Sequence, residues 1–185
     1  MSLDTKTSKF AIVFNTKTGL PIVDSFIQEQ LNTLFVEYSY ILHDKDIDDC
    51  GIVKTLHYHL VCKTEKRCRI ATIINKLSLA LNLSPFNIQA KKCVSYVGAI
   101  QYLVHKNDKN KFQYDVDAIH SSIPREELEL LIASDNDNIT IDRLISVINE
   151  CRTLTDVIKS VGLSNYIGYR NVIKDLWNDR LSSPH

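Results

Sequence analysis

Hydrophobic and polar positions in the first half of the chain keep changing period. Residues 9–16, Lys-Phe-Ala-Ile-Val-Phe-Asn-Thr, alternate, which puts Phe10, Ile12 and Phe14 on one face of a strand. Gly19 and Pro21 break that run. Residues 25–34 then move to helical spacing, with Phe26, Ile27, Leu31 and Leu34 as the apolar stripe. Residues 36–43 return to strand character. An acidic turn, Asp44-Lys45-Asp46-Ile47-Asp48-Asp49-Cys50-Gly51, leads to a third strand over 54–63. Residues 70–83 are strongly apolar at helical spacing through Ile73, Ile74, Leu77 and Leu81; Pro85 ends them, and 86–92 reads as a short fourth strand. The order β-α-β-β-α-β predicts an α+β, ferredoxin-like antiparallel sheet, with the third strand central and the second beside it.

The pattern beyond that sheet is helical. Residues 93–106 read as an added helix, 107–110 as a polar exit, and 112–119 as a short extended piece. Ser121-Ser122-Ile123-Pro124 is the best boundary, giving domains of 1–122 and 123–185. The second is a small all-α domain. Residues 140–151 carry Leu144, Ile145, Val147, Ile148 and Cys151 on one face, and a helix from Thr155 is stopped by Gly162. Residues 165–181 add Tyr166, Val172, Ile173, Leu176 and Trp177.

Composition narrows the classes. At 44% hydrophobic and 24% charged, the chain is an ordinary globular protein with a real core. No apolar run is long enough to span a bilayer, and residues 1–6 lack a secretory segment, so a cytoplasmic location without membrane contact is expected. Five cysteines without a Cys-x-x-Cys pair argue against both a thiolate zinc site and a disulfide framework. The zero net charge hides a division. Residues 1–122 hold 15 Lys and Arg against 12 Asp and Glu, whereas 123–185 hold 7 against 10. Four acids of the first region (Asp44, Asp46, Asp48, Asp49) share one turn, so its remaining surface suits a polyanion.

The third strand contains Thr55-Leu56-His57-Tyr58-His59-Leu60-Val61. Strand side chains alternate, so His57 and His59 share a face and can close on one divalent ion. Two half-exposed strand histidines without a ligand are the bland alternative. His43, at the end of the second strand, comes near that face in the predicted topology. Asp46 follows in the turn, with Asp44 or Asp48 as rivals for the same role. Three imidazoles and one carboxylate suit an open site for Mn²⁺ or Mg²⁺, although imidazoles also take Zn²⁺, Co²⁺ or Ni²⁺. An ion beside a basic surface acts as a Lewis acid on phosphate and needs a nucleophile. Tyr102 is the candidate, because His105 and Lys106 follow at helical spacing and can orient a phosphate. Tyr96 reads as core.

Three motifs, Tyr-Ile-Leu-His-Asp-Lys-Asp over 40–46, Leu-His-Tyr-His-Leu-Val over 56–61 and Tyr-Leu-Val-His-Lys over 102–106, occur in the order and spacing of the HUH endonucleases. Residues 8–122 resemble the replication initiators of small rolling-circle plasmids of Gram-positive type. The resemblance implies that His43, Asp46, His57 and His59 hold Mn²⁺ or Mg²⁺ and that Tyr102 is the catalytic tyrosine. It further implies nicking of one strand in a hairpin loop of the plasmid double-strand origin. Tyr102 keeps the 5′-phosphate, and the 3′-hydroxyl primes synthesis. A helical oligomerisation domain, possible ring assembly, a host helicase and a DNA polymerase belong to the same expectation.

Other classes share parts of this pattern. Mobilisation relaxases and HUH transposases use similar histidines, but relaxases place their tyrosine near the N-terminus, and no Tyr precedes Tyr38. An RNA-recognition module has the same strand order but needs aromatics on its central strands in a motif absent here. A non-catalytic DNA-binding regulator keeps the fold without the chemistry. For the C-terminal helices, groove reading competes with assembly, and the acidic balance favours assembly.

Overall fold

The computed structural model describes residues 4–16, 19–48, 50–134 and 141–182, with the side chains at 141–143, 163–165, 167, 168 and 171 outside that description. Asp49 and Thr140 therefore lie outside the described residues. Five strands form one antiparallel sheet in the order β4-β1-β3-β2-β5. They are β1 (Lys6–Phe14), β2 (Glu37–His43), β3 (His57–Arg69), β4 (Ile88–Lys92) and β5 (His120–Ser121). Helices α1 (Asp24–Leu34) and α2 (Ile70–Ala80) cross over one face, which is the ferredoxin-like arrangement the alternation predicts.

That covered face collects every second residue of the central strands. Phe10, Ile12 and Phe14 of β1 stand opposite Cys62, Leu60 and Tyr58 of β3. Ile27 and Leu31 of α1 and Ile70, Ile73 and Leu77 of α2 close the same core. Phe14 and Tyr58 stack at 4.9 Å. The Tyr58 hydroxyl stays satisfied by accepting from the Ile22 N–H at 2.8 Å. Phe26 departs from the predicted stripe and is 39% exposed, since Ile27 and Leu31 already fill the space over the sheet.

Several elements differ from the sequence reading, among them a helical turn at Val116–Ala118 within the stretch read as extended. β3 runs on to Arg69, where polar residues pair with Lys6 and Thr7 of β1. β5 adds a two-residue edge fastened to β2, with Ser39 and Ser121 hydroxyls 2.7 Å apart and the Tyr38 N–H donating to Ser122 Oγ at 2.8 Å. The predicted helix over 93–106 is shorter: α3 spans Tyr96–Leu103.

Contacts divide the chain into residues 1–128 and 129–185. α4 (Arg125–Ala133) begins in the first unit. In the second, α5 (Ile141–Glu150) and α6 (Leu154–Ser182) build a core of Leu144, Ile148, Cys151, Val157, Val161 and Ile173. α6 breaks at Gly162, whose φ of 77° suits glycine. Ile145 and Val172 lie outside that core, 38% and 39% exposed. No helix of the described residues is long and apolar enough to cross a membrane.

Candidate active site

The face of the sheet opposite α1 and α2 carries the odd-numbered residues of β2 and β3, with α3 packed over part of it. His43 pairs with His57 across these strands, and Ile41 with His59. Alternation thus delivers three imidazoles to one patch. Ring centroids are 4.4 Å apart for His43 and His59, 5.6 Å for His43 and His57, and 5.1 Å for His57 and His59.

The acidic turn folds back on itself to supply the carboxylate. Ile47 bridges Val53, and Asp48 accepts the N–H groups of Cys50 and Ile52 at 2.9 Å each. Asp48 is thereby used as a turn cap, and Asp44 is exposed. Asp46 is buried, with its carboxylate 3.3 Å from His43 Nδ1 and 3.5 Å from His57 Nε2.

Backbone acceptors set the ring orientations. His43 Nε2 donates to the Leu103 carbonyl at 2.7 Å, His57 Nδ1 to that of Thr55 at 2.9 Å, and His105 Nδ1 to that of Phe112 at 2.8 Å. A carbonyl only accepts, so in each neutral ring the opposite nitrogen carries the lone pair. His43 Nδ1 and His105 Nε2 are buried without a hydrogen-bond partner.

The first of these atoms tests for a metal. A lone pair on His43 Nδ1 faces an anionic oxygen of Asp46, a repulsive arrangement unless a cation lies between them. Burial pushes His43 down to about 4, which disfavours a proton there. Burial, with His43 and His57 adding to it, takes His59 down to about 2. Two ligands on one ion, each at about 2.1 Å and near a right angle, are about 3 Å apart. The donor set fits a divalent ion. Two overlapping groups have ligand atoms within 4.8 Å of one another: His43, His57 and His59, and His43, Asp46 and His105.

Tyr102 borders this cluster. Ser95 caps α3 by accepting the Gly98 N–H at 3.0 Å. At the other end the N–H groups of His105 and Lys106 return to the carbonyls of Tyr102 and Gln101, at 3.1 Å each. This is a Schellman ending, with His105 left-handed at φ 57°. The predicted helical continuation of His105 and Lys106 over the face of Tyr102 is therefore corrected. The turn drives the His105 ring inward, fully buried, 4.4 Å from His43 and with Nδ1 3.8 Å from Asp46. Lys106 is half-buried beyond the turn.

The Tyr102 ring packs 5.2 Å from His59 and 5.1 Å from His105, and the residue remains 40% exposed. Its hydroxyl accepts from Lys111 Nζ at 2.7 Å. Tyr96 is occupied elsewhere. Its hydroxyl donates to Glu37, with the Lys63 ammonium 4.0 Å above its ring, and burial together with Glu37 raises it well above the usual tyrosine range. A cleft of about 630 Å³ opens beside His59 and Tyr102, floored by Ala11, Val13 and Val61 and rimmed by Lys91 and Lys92.

Sequence reasoning missed two contributors, Lys111 and Tyr114. Tyr114 stacks on His43 at 4.4 Å. Its hydroxyl accepts the Lys45 N–H at 2.9 Å and donates to Asp46 at 3.4 Å. Burial, reinforced by Asp46 and Asp44, pushes Tyr114 up to about 12. Both residues come from the non-periodic segment after α3, where the one available signal is a pair of aromatics, Phe112 and Tyr114.

A ferredoxin-like sheet with a metal-ready histidine cluster on the face away from α1 and α2, and an accessible tyrosine beside it on α3, places the chain among α+β proteins with a sheet-borne site. The chain belongs to the family described as plasmid replication protein, origin binding domain, whose model matches residues 2–125. It is also similar to the replication protein RepB of Lactiplantibacillus plantarum, 34% identical over 74 residues. That match covers 40% of this chain and 32% of the relative, so the chain is aligned with about a third of that protein.

Proposed function

We propose that the chain is a rolling-circle replication initiator, a metal-dependent DNA nickase that cuts one strand within a hairpin loop of a plasmid double-strand origin. The observation that carries this reading is the lone-pair cluster of His43, Asp46 and His57, which reaches through His59 to Tyr102. The origin-binding family supports plasmid DNA as the substrate.

The residues take distinct parts. His43, Asp46, His57 and His59 hold Mn²⁺ or Mg²⁺, which when bound supplies Lewis-acid stabilisation to the scissile phosphate. His105 backs Asp46, and Lys106 meets phosphate of the incoming strand. Tyr102 Oη forms a bond to phosphorus as the bond from phosphorus to the 3′ oxygen breaks. The phenol gives up its proton to solvent and the 3′ oxygen gains one from solvent, so the exchange is balanced. One phosphodiester is replaced by another, which keeps the step reversible and leaves a 3′-hydroxyl primer.

Residues 1–122 perform this cutting in the proposed division of labour. Residues 123–185 assemble copies of the chain, as a ring in the simplest closed form. A host helicase and DNA polymerase extend the primer. Incubation with single-stranded origin oligonucleotides and Mn²⁺ should give a covalent adduct on a denaturing gel. Cleavage undiminished in EDTA would sink the metal role, and an adduct surviving Tyr102→Phe would move the nucleophile. Light scattering of the full chain should report an oligomer.

A further inference from the structure

The segment after α3 returns to the site in a tightly bonded turn. The Lys111 N–H donates to the Asp108 carbonyl at 3.1 Å. Gln113 Nε2 donates to the carbonyls of Asp108 and Lys111 at 2.9 Å each. This turn fixes the root of Lys111 and leaves its ammonium at the outer end of Tyr102. Nζ lies 2.7 Å from the hydroxyl and 4.7 Å from the ring centroid, with the Asp108 carboxylate at 3.7 Å. Partial burial works against its charge, but Tyr102, Asp108 and Asp46 outweigh that and hold Lys111 above the ordinary lysine range.

An ammonium has three N–H donors. Lys111 Nζ donates to the Tyr102 hydroxyl and meets the Asp108 carboxylate only as an ion pair at 3.7 Å, so donors remain to turn toward a phosphate. A phosphate esterified to the tyrosine carries its non-bridging oxygens one bond beyond Oη. An ammonium already bonded to Oη reaches those oxygens with a small rotation, and the bond it makes to them is charge-assisted.

We infer that Lys111 clamps the 5′-phosphate on Tyr102, holding the hydroxyl before attack and passing its hydrogen bond to a non-bridging oxygen once the ester has formed. The inference rests on the nicking reading. It assigns to Lys111 a contact that the sequence pattern gives to Lys106. No covalent bond changes beyond the ester exchange itself.

The test uses the full chain with two readouts. In a Tyr102→Phe background, where no ester forms, binding of a single-stranded origin oligonucleotide is compared with a 5′-phosphate and with a 5′-hydroxyl. The phosphate form should bind roughly tenfold tighter, the scale of one charge-assisted hydrogen bond. Lys111→Met should erase the preference and Lys111→Arg should keep most of it. In the otherwise unaltered chain, Lys111→Met should slow adduct formation roughly tenfold while oligonucleotide affinity stays within about twofold. An intact preference in Lys111→Met, or its loss in Lys106→Met instead, overturns the inference. An equal loss in Lys111→Arg also overturns it, because that outcome marks a purely structural role. Absence of any adduct from the unaltered chain sinks the nicking reading, and the 5′-phosphate comparison then decides Lys111 by itself.

Discussion

Tyr58 and His59 are neighbours in the chain and sit on opposite faces of one strand. On Tyr58's face, Leu60, Cys62, Phe10, Ile12 and Phe14 are all nearly inaccessible, and α1 and α2 complete a core. On His59's face the same strands present imidazoles, and the Asp46 carboxylate of the acidic turn meets the lone pairs of His43 and His57. One face holds the sheet together, and the other tolerates repulsion because the first holds it in place. The difference teaches that strand register is the controlling variable. A slip of one residue along β3 would put Tyr58 where His59 stands and empty the site.

The largest way to break this comparison is to alter only the histidine-bearing face. His57→Ala with His59→Ala, or addition of EDTA, should reduce nicking to background on an oligonucleotide gel while circular dichroism is unchanged. The two tyrosines of α3 sharpen the point. Tyr102→Phe should abolish the covalent adduct, whereas Tyr96→Phe, which removes only a hydroxyl bonded to Glu37, should retain it. The opposite result would give the role to Tyr96.

The converse experiment removes only the covered face. Leu60→Ala leaves every candidate ligand intact but opens a cavity, and it should cost about 2–5 kcal/mol in urea unfolding. Adduct yield should persist at low temperature. A loss of activity without a loss of stability would mean that the faces are not separable.

Acid should produce a smaller effect, read in EDTA so that no ion intervenes. His43 and His59 are held down to about 4 and about 2 by burial, while an unfolded imidazole titrates near 6.5. Between those values the unfolded chain binds more protons than the folded one. Stability is therefore full above about pH 6.5 and declines as pH falls toward about 4. The urea midpoint should fall steadily across that window. A midpoint that rises would mean that the imidazoles pair with Asp46 as cations and that the cluster needs no metal.

The strands, the two crossover helices and their shared core were legible because period-two and period-3.6 patterns report burial directly. The proximity of His43 to His57 followed from topology alone. Other features left no such trace. Residues 64–69 continue β3 past the end of β2 with mostly polar side chains, and of these only Cys68 and Arg69 pair with β1. β5 is two residues long and leaves no period to detect. The inward turn of His105 needs a left-handed backbone at a residue other than glycine, which the tertiary contacts of its ring support rather than its local sequence. Lys111 reaches Tyr102 only because the turn at 108–113 closes, and that closure lies in backbone carbonyls rather than in a motif.

The ring N–H groups of His43, His57 and His105 all end on main-chain oxygens, those of Leu103, Thr55 and Phe112. A replaced side chain leaves its carbonyl behind, so point changes at these three positions preserve the acceptors. Insertions and deletions do not. The stretch between α3 and Tyr114 is therefore bound to keep its count as well as His105, Lys111 and Gln113, and a variant one residue longer there loses the aim of the His105 ring without losing the residue.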